Sequence, residues 1–100
     1  MSFPIRGNTS VTFEWINGNL PLMINSFGIV NNGQSSVSVN VYLIKSQTQD
    51  AVRICPASLA ISSGEMYEGT REIVMLAADT LRLTTTGSIG YDFTMSNIQP

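Results

Sequence analysis

The reactive side chains in this sequence are seven carboxylates, one thiol and no imidazole. Without histidine the usual general base, the commonest metal ligand and the common nucleophilic triads are missing. A glycosidase needs two carboxylates flanking one cleft. Glu65, Glu68 and Glu72 are close in sequence, yet they fall in or beside a turn, where a solvated surface is the ordinary outcome. Glu14, Asp50, Asp79 and Asp92 are scattered, and no regularly spaced oxygen ligands form a calcium loop. Gly64 and Gly69 stand alone, outside any phosphate-cradling motif. The single cysteine, Cys55, rules out an internal disulfide and a cysteine-based zinc site. Set before Pro56 among apolar residues, it reads as a small buried hydrophobe. Arg53, two positions away on the same strand face, keeps a reactive thiol open. The expectation is a non-enzyme with no catalytic, metal-ligating or cofactor-binding residues and no cofactor.

Binding chemistry is left. Net charge is −2, and the five cations Arg6, Lys45, Arg53, Arg71 and Arg82 are dispersed. Phosphate backbones need clustered cations, so nucleic acid is not an expected partner. Only 12% of residues are charged, against about 25% in ordinary soluble domains. Ser, Thr and Asn fill the surface role, which suits either a protein packed against others or solubility through hydroxyl groups. Trp15, Tyr42, Tyr67 and Tyr91 could form a sugar-stacking surface. Trp15 and Tyr91 share faces with apolar residues, whereas Tyr42 lies opposite the valines of its strand.

These side chains must be carried by strands. At 100 residues and 43% hydrophobic content, the chain makes one domain with one modest core. Residues 1–8, interrupted by Pro4 and Gly7, read as an irregular N-terminal arm, and residues 9–100 as the domain. Val11, Phe13 and Trp15 alternate with Thr12, Glu14 and Ile16. A second strand runs from Pro21 to about Val30, with Leu22 and Ile24 on one face, Phe27 and Ile29 on the other, and a bulge suggested at Gly28. Asn31-Asn32-Gly33 predicts a tight hairpin into the clearest strand, where Val37, Val39, Val41 and Leu43 alternate with Ser38, Asn40 and Tyr42. Pro56 predicts an edge strand or one broken in two.

Met66–Gly69, Arg71–Ala78, Thr80–Thr86 and Ile89–Ile98 complete the set, although Ile73, Val74, Leu76, Ala77 and Leu81 also fit a helical stripe. Turns at roughly ten-residue intervals predict a single antiparallel β-sandwich or jelly-roll-like domain of seven to eight short strands, all-β. No basic start followed by an apolar run marks a signal peptide, and no apolar run approaches the ~20 residues of a membrane span, so synthesis in a cytoplasm is expected.

Four stretches then take on a pattern. They are Ile29-Val30-Asn31-Asn32, Val39-Asn40-Val41-Tyr42-Leu43, Leu59 to Tyr67 with its Ser63-Gly64-Glu65 turn, and Ile73 to Leu83 with Ala78-Asp79-Thr80 at its centre. In order they resemble small β-sandwich virion proteins of tailed bacteriophages, over about seventy residues from Phe27 to Ile98. The pattern favours glycine where this chain has Ala78. Members of that class resemble capsid decoration (cement) proteins, head fibres and tail accessory proteins, and commonly form trimers.

The resemblance implies strand for Ile73–Leu76 and a virion location. It implies a structural role through protein–protein contacts, most concretely as a capsid decoration protein. The expected partners are its own copies, as a homotrimer, and the major capsid protein or other virion proteins, with no membrane or nucleic acid. Phe3, Ile5, Trp15 and Tyr42 are the expected subunit or capsid interface residues. The alternatives are a tail, baseplate, neck or fibre component, and a carbohydrate-binding module.

Overall fold

The computed structural model describes residues 2–57, 59–69 and 72–97. Ten strands run through them: β1 (Ser2–Thr9), β2 (Thr12–Ile16), β3 (Leu22–Asn31), β4 (Val37–Ile44), β5 (Ala51–Arg53), β6 (Leu59–Ile61), β7 (Met66–Gly69), β8 (Ile73–Met75), β9 (Thr80–Thr85) and β10 (Ile89–Asn97). They form two antiparallel sheets. The first is ordered β1-β10-β3, with β7 and β8 sharing the far side of β3. The second is ordered β2-β9-β4, with β5 and β6 sharing the far side of β4. Ten strands thus fill eight sheet positions. The chain changes sheets at every connection except β4–β5 and the two breaks within the far edges. That path is a jelly roll, and the all-β sandwich expected from the turn spacing is what forms.

Alternation builds the core. Val37, Val39, Val41 and Leu43 of β4 and Leu81 and Leu83 of β9 are buried on the inner face of the second sheet. Opposite them lie Leu22, Ile24, Phe27, Ile29, Ile89, Phe93 and Met95 of the first sheet. The Phe27 and Phe93 rings stack at 5.3 Å. Gly69 is buried beside this pair because a Cβ there would come within 2.5 Å of the Phe27 ring.

Several expectations change. Asn31-Asn32-Gly33 does not turn a hairpin, since β3 and β4 lie in different sheets and the segment between them crosses the sandwich. Gly33 does not adopt a positive φ; its N–H instead donates to the Asn31 side chain. Among the described residues the one hairpin between neighbouring strands of a sheet is β4–β5. It is closed by Lys45 N–H to Asp50 O at 2.9 Å, with Gln49 at φ 61°.

Residues 2–8 are no free arm, because β1 pairs with β10 along its whole length, from Ser2↔Ser96 to Thr9↔Ile89. Pro4 has the character of a strand breaker. An edge strand has one row of amides without partners and tolerates the missing donor. The bulge falls at Asn25 and not at Gly28, since Ile24 pairs with Met95 and Ser26 with Thr94. The extra residue brings Leu22, Ile24, Phe27 and Ile29 onto one buried face.

Two expectations hold with a mechanism attached. The strand around Pro56 is broken into β5 and β6, both on β4. At the break Ile54 N–H donates to Val41 O at 2.9 Å, while the Val41 N–H reaches the buried Cys55 sulfur at 3.3 Å. The thiol is thus a core group that stands in for a missing carbonyl. Ile73–Met75 is a strand, paired with Leu22–Ile24. Arg71 and Ile98, taken as ends of their strands, lie outside the described residues.

Each end of the sandwich is tied by a buried polar side chain. At one end the Asn31 amide donates to Ser35 O at 2.7 Å and Ile61 O at 2.8 Å, and its oxygen accepts the Gly33 N–H. At the other end Asn17 donates to Leu20 O at 2.9 Å and Leu76 O at 3.0 Å. There too Asp79 accepts the Ser46 and Leu76 N–H groups, each at 3.0 Å.

Replacing Asn31 with Ala removes three hydrogen bonds to backbone groups at Ser35, Ile61 and Gly33, each contributing about 1 kcal/mol. A loss of about 3 kcal/mol in urea unfolding is expected for Asn31→Ala. Ala78 sits at φ 66° in the Leu76–Asp79 turn. Ala78→Gly should therefore raise stability by up to about 1 kcal/mol in the same assay.

Candidate functional site

The four residues expected at an interface do not converge. Phe3 and Ile5 on β1 and Trp15 on β2 are half-buried and pack against the core. Strand alternation places Trp15 opposite in direction to Glu14 and Ile16, which face out. On the same side of the sandwich Phe13 stacks on Tyr91 with ring centroids 4.2 Å apart, joining the second sheet to the first.

Tyr42 does face outward, on the second sheet, as its place opposite the valines predicts. Register aligns Glu14, Arg82, Tyr42 and Arg53 across four strands. Arg82 pairs with Glu14. The Arg53 guanidinium lies 5.0 Å from the centre of the Tyr42 ring and donates to its hydroxyl at 2.9 Å and to the Asn40 oxygen. In this row Arg82 is offset by Glu14, while Arg53 has only the neutral partners Tyr42 and Asn40 and keeps its positive charge. Arg53 therefore serves Tyr42 and not Cys55, so the arrangement that could have activated the thiol is absent.

A second surface lies at the end tied by Asn17 and Asp79. Ile16, Leu20, Val74 and Leu76 are exposed there, four of the seven exposed large hydrophobic residues among those described. The Asn17 amide holds the Leu20 and Leu76 carbonyls together. Beside it Leu76, Ala77 and Pro21 share a cleft of about 370 Å³ with Lys45 and Ser46. In the sequence Ile16 falls with Thr12 and Glu14 on a polar strand face, and an isoleucine in that company signals an exposed apolar position. Leu20 and Leu76 lie in turns, where no periodicity marks orientation.

A third surface is a groove of about 660 Å³ on the outer face of the first sheet. Two cross-strand rows floor it, Arg6–Asp92–Gly28–Glu68 and Asn8–Gly90–Val30–Met66. Arg6 Nη2 lies 3.2 Å from Asp92 Oδ2. Asp92 Oδ1 is shielded from solvent and has no partner among the described residues. The sequence reading passed over this groove, because its members come from β1, β3, β7 and β10 and meet only through sheet register.

No protein-family model matches the chain. No curated protein matches it. Among solved structures it is similar to the N-terminal endo-1,4-beta-D-xylanase 10B of Clostridium thermocellum, crystallised as CBM22-1 and GH10 modules with xylohexaose. The identity is 19% and the TM-score 0.42, over 81% of this chain and 17% of that one. No residue role transfers from a likeness of that size.

Burial raises the pKa of Tyr91 above the ordinary 10.0. Above about pH 10 an unfolded chain loses this proton before the folded one does, so stability is expected to fall with rising pH there. Tyr91→Phe should flatten that decline, as read from urea midpoints between about pH 8 and 11.

Proposed function

We propose that this protein is a structural component of a tailed-bacteriophage virion, acting as a capsid decoration protein that binds its own copies and the shell. The observation that carries the contact role is the exposed apolar end, where Ile16 is 66%, Leu20 59% and Leu76 53% accessible. Apolar groups gathered on a surface mark sites of association. Two cations are already paired, Arg6 with Asp92 and Arg82 with Glu14, which leaves fewer charges for long-range attraction to a partner. Contact through such a surface is dominated by area and shape. Stable interfaces of this kind bury about 1,600 Å² in total.

The choice between shell and tail turns on copy number, which is hundreds per particle for a decoration protein and a few to tens for a baseplate, neck or fibre part. The alternative is a carbohydrate-binding module using Trp15, Tyr42, Tyr67 or Tyr91; of these, Trp15 packs against the core and Arg53 lies over Tyr42.

The wild-type protein is expected in purified particles at hundreds of copies; its absence would remove the virion reading. Leu20→Asp with Leu76→Asp should strip it from the particle. Stability should stay within about 0.5 kcal/mol, because both side chains are exposed. Retention of the double variant at full occupancy would show that the contact lies elsewhere.

A further inference from the structure

We propose that copies of this protein stack face to face, the outer face of the second sheet in one copy against the outer face of the first sheet in the next. The contact does not use the apolar end, and it stands whether or not the chain belongs to a virion.

Each sheet carries one charged row across four strands. On the second sheet the order is Glu14, Arg82, Tyr42 and Arg53, on β2, β9, β4 and β5. On the first sheet it is Arg6, Asp92, Gly28 and Glu68, on β1, β10, β3 and β7. The signs run minus, plus, neutral, plus in one row and plus, minus, neutral, minus in the other. Every charge thus has its opposite at the same place. Strands are spaced about 4.8 Å apart in either sheet, so the two rows share one pitch. They also share a level along the strands, because Phe13 and Tyr91, the residues before Glu14 and Asp92, stack on each other between the sheets. The order runs the same way through the molecule, with β1 and β2 at the near edges and β7 and β5 at the far ones. A copy displaced along the sheet normal therefore sets one row over the other without being turned round.

Arg53 lacks a counter-ion. All seven carboxylate side chains lie among the described residues, and the two ion pairs that form there use Arg6 and Arg82. The Arg53 guanidinium is held instead by the Tyr42 hydroxyl and the Asn40 oxygen, so it is oriented without being neutralised. A cation fixed in place before binding loses little freedom when it meets a carboxylate. Glu68, its counterpart in the other row, is exposed and forms no ion pair among the described residues.

Charge also selects the register. Sliding one row by a strand puts Arg82 over Arg6 in one direction and Glu14 over Asp92 in the other. Turning one copy round puts Glu14 over Glu68 and Arg53 over Arg6. Two second sheets can meet about a two-fold axis with Glu14 against Arg53, but each face then brings two cations and one carboxylate to a face of the same sign. The first sheet's row has the reverse excess, two carboxylates and one cation. Exposed ion pairs add little affinity each, so the pattern serves mainly to fix which faces meet and in what register. A contact between unlike faces leaves one face open on each terminal copy and so repeats.

The test is sedimentation velocity of the full chain up to about 1 mM, in about 20 mM and about 500 mM salt. Species larger than a dimer are expected at low salt, with association at least tenfold weaker at high salt. Arg53→Glu and Glu68→Arg should each weaken low-salt association at least tenfold. An equimolar mixture of the two variants should restore it, because the two altered faces match each other and so do the two unaltered ones. The chain carrying both substitutions should associate like the wild type. Rescue by mixing separates a lost contact from a lost fold, since an unfolded variant has no face to offer. A wild-type chain that stays monomeric at about 1 mM and low salt overturns the proposal. Single variants that associate like the wild type overturn it, as does a mixture that stays monomeric. Loss in only one of the two single variants marks a two-fold contact between like faces and overturns the stack.

Discussion

A chain that passes between two sheets at nearly every connection must cross the ends of the sandwich, where no strand neighbour exists to receive its backbone groups. The buried amide of Asn31 answers this at one end by binding carbonyls from two separate segments, Ser35 and Ile61. Asn17 and Asp79 answer it at the other, gathering Leu20, Leu76 and Ser46. The inner faces of the sheets cohere by hydrophobic burial, which is not directional. The polar ties are directional, and they fix how one sheet is connected to the other. Without them the crossovers would leave peptide groups unpaired inside the protein, at a cost comparable to several core contacts.

Strand identity was largely legible, and pairing was not. Alternation in Val37–Leu43 and in Ile89–Met95 marks an inner face because a strand sends successive side chains to opposite sides. It says nothing of which strand lies alongside. Asn32-Gly33 has the composition of a hairpin, yet hairpin and crossover both need a short polar loop, and the choice depends on contacts distant in sequence. Pro4 and Gly7 read as breakers because local rules do not know that β1 is an edge. The Asn25 bulge was hidden for a related reason. Its effect is to shift parity, so the residues before and after it looked as though they belonged to different faces.

The surfaces followed the same division. Tyr42 was correctly placed outside, because its strand alternates cleanly. Phe3, Ile5 and Trp15, expected at an interface, are half-buried against the core, and aromatic or apolar character alone does not distinguish a half-buried edge from an interface. The groove residues Arg6, Asp92 and Glu68 are separated by more than sixty positions at the extremes, and they align only because β1, β10, β3 and β7 are neighbours in that order. A site assembled by register has no motif.

The far edge of each sheet is chopped into short pieces, β5 and β6 along β4 and β7 and β8 along β3, none longer than four residues. An unbroken open edge is a template on which another chain can add a strand, and the process can repeat without limit. Here the template is interrupted, once by Pro56 and Cys55 and once opposite the Asn25 bulge. On the near side β1 carries Pro4 and β2 is only five residues long. Growth by strand addition is therefore blunted all round the molecule. Contact through backbone pairing is thereby disfavoured, and the faces and ends present side chains and not open backbone groups to any neighbour.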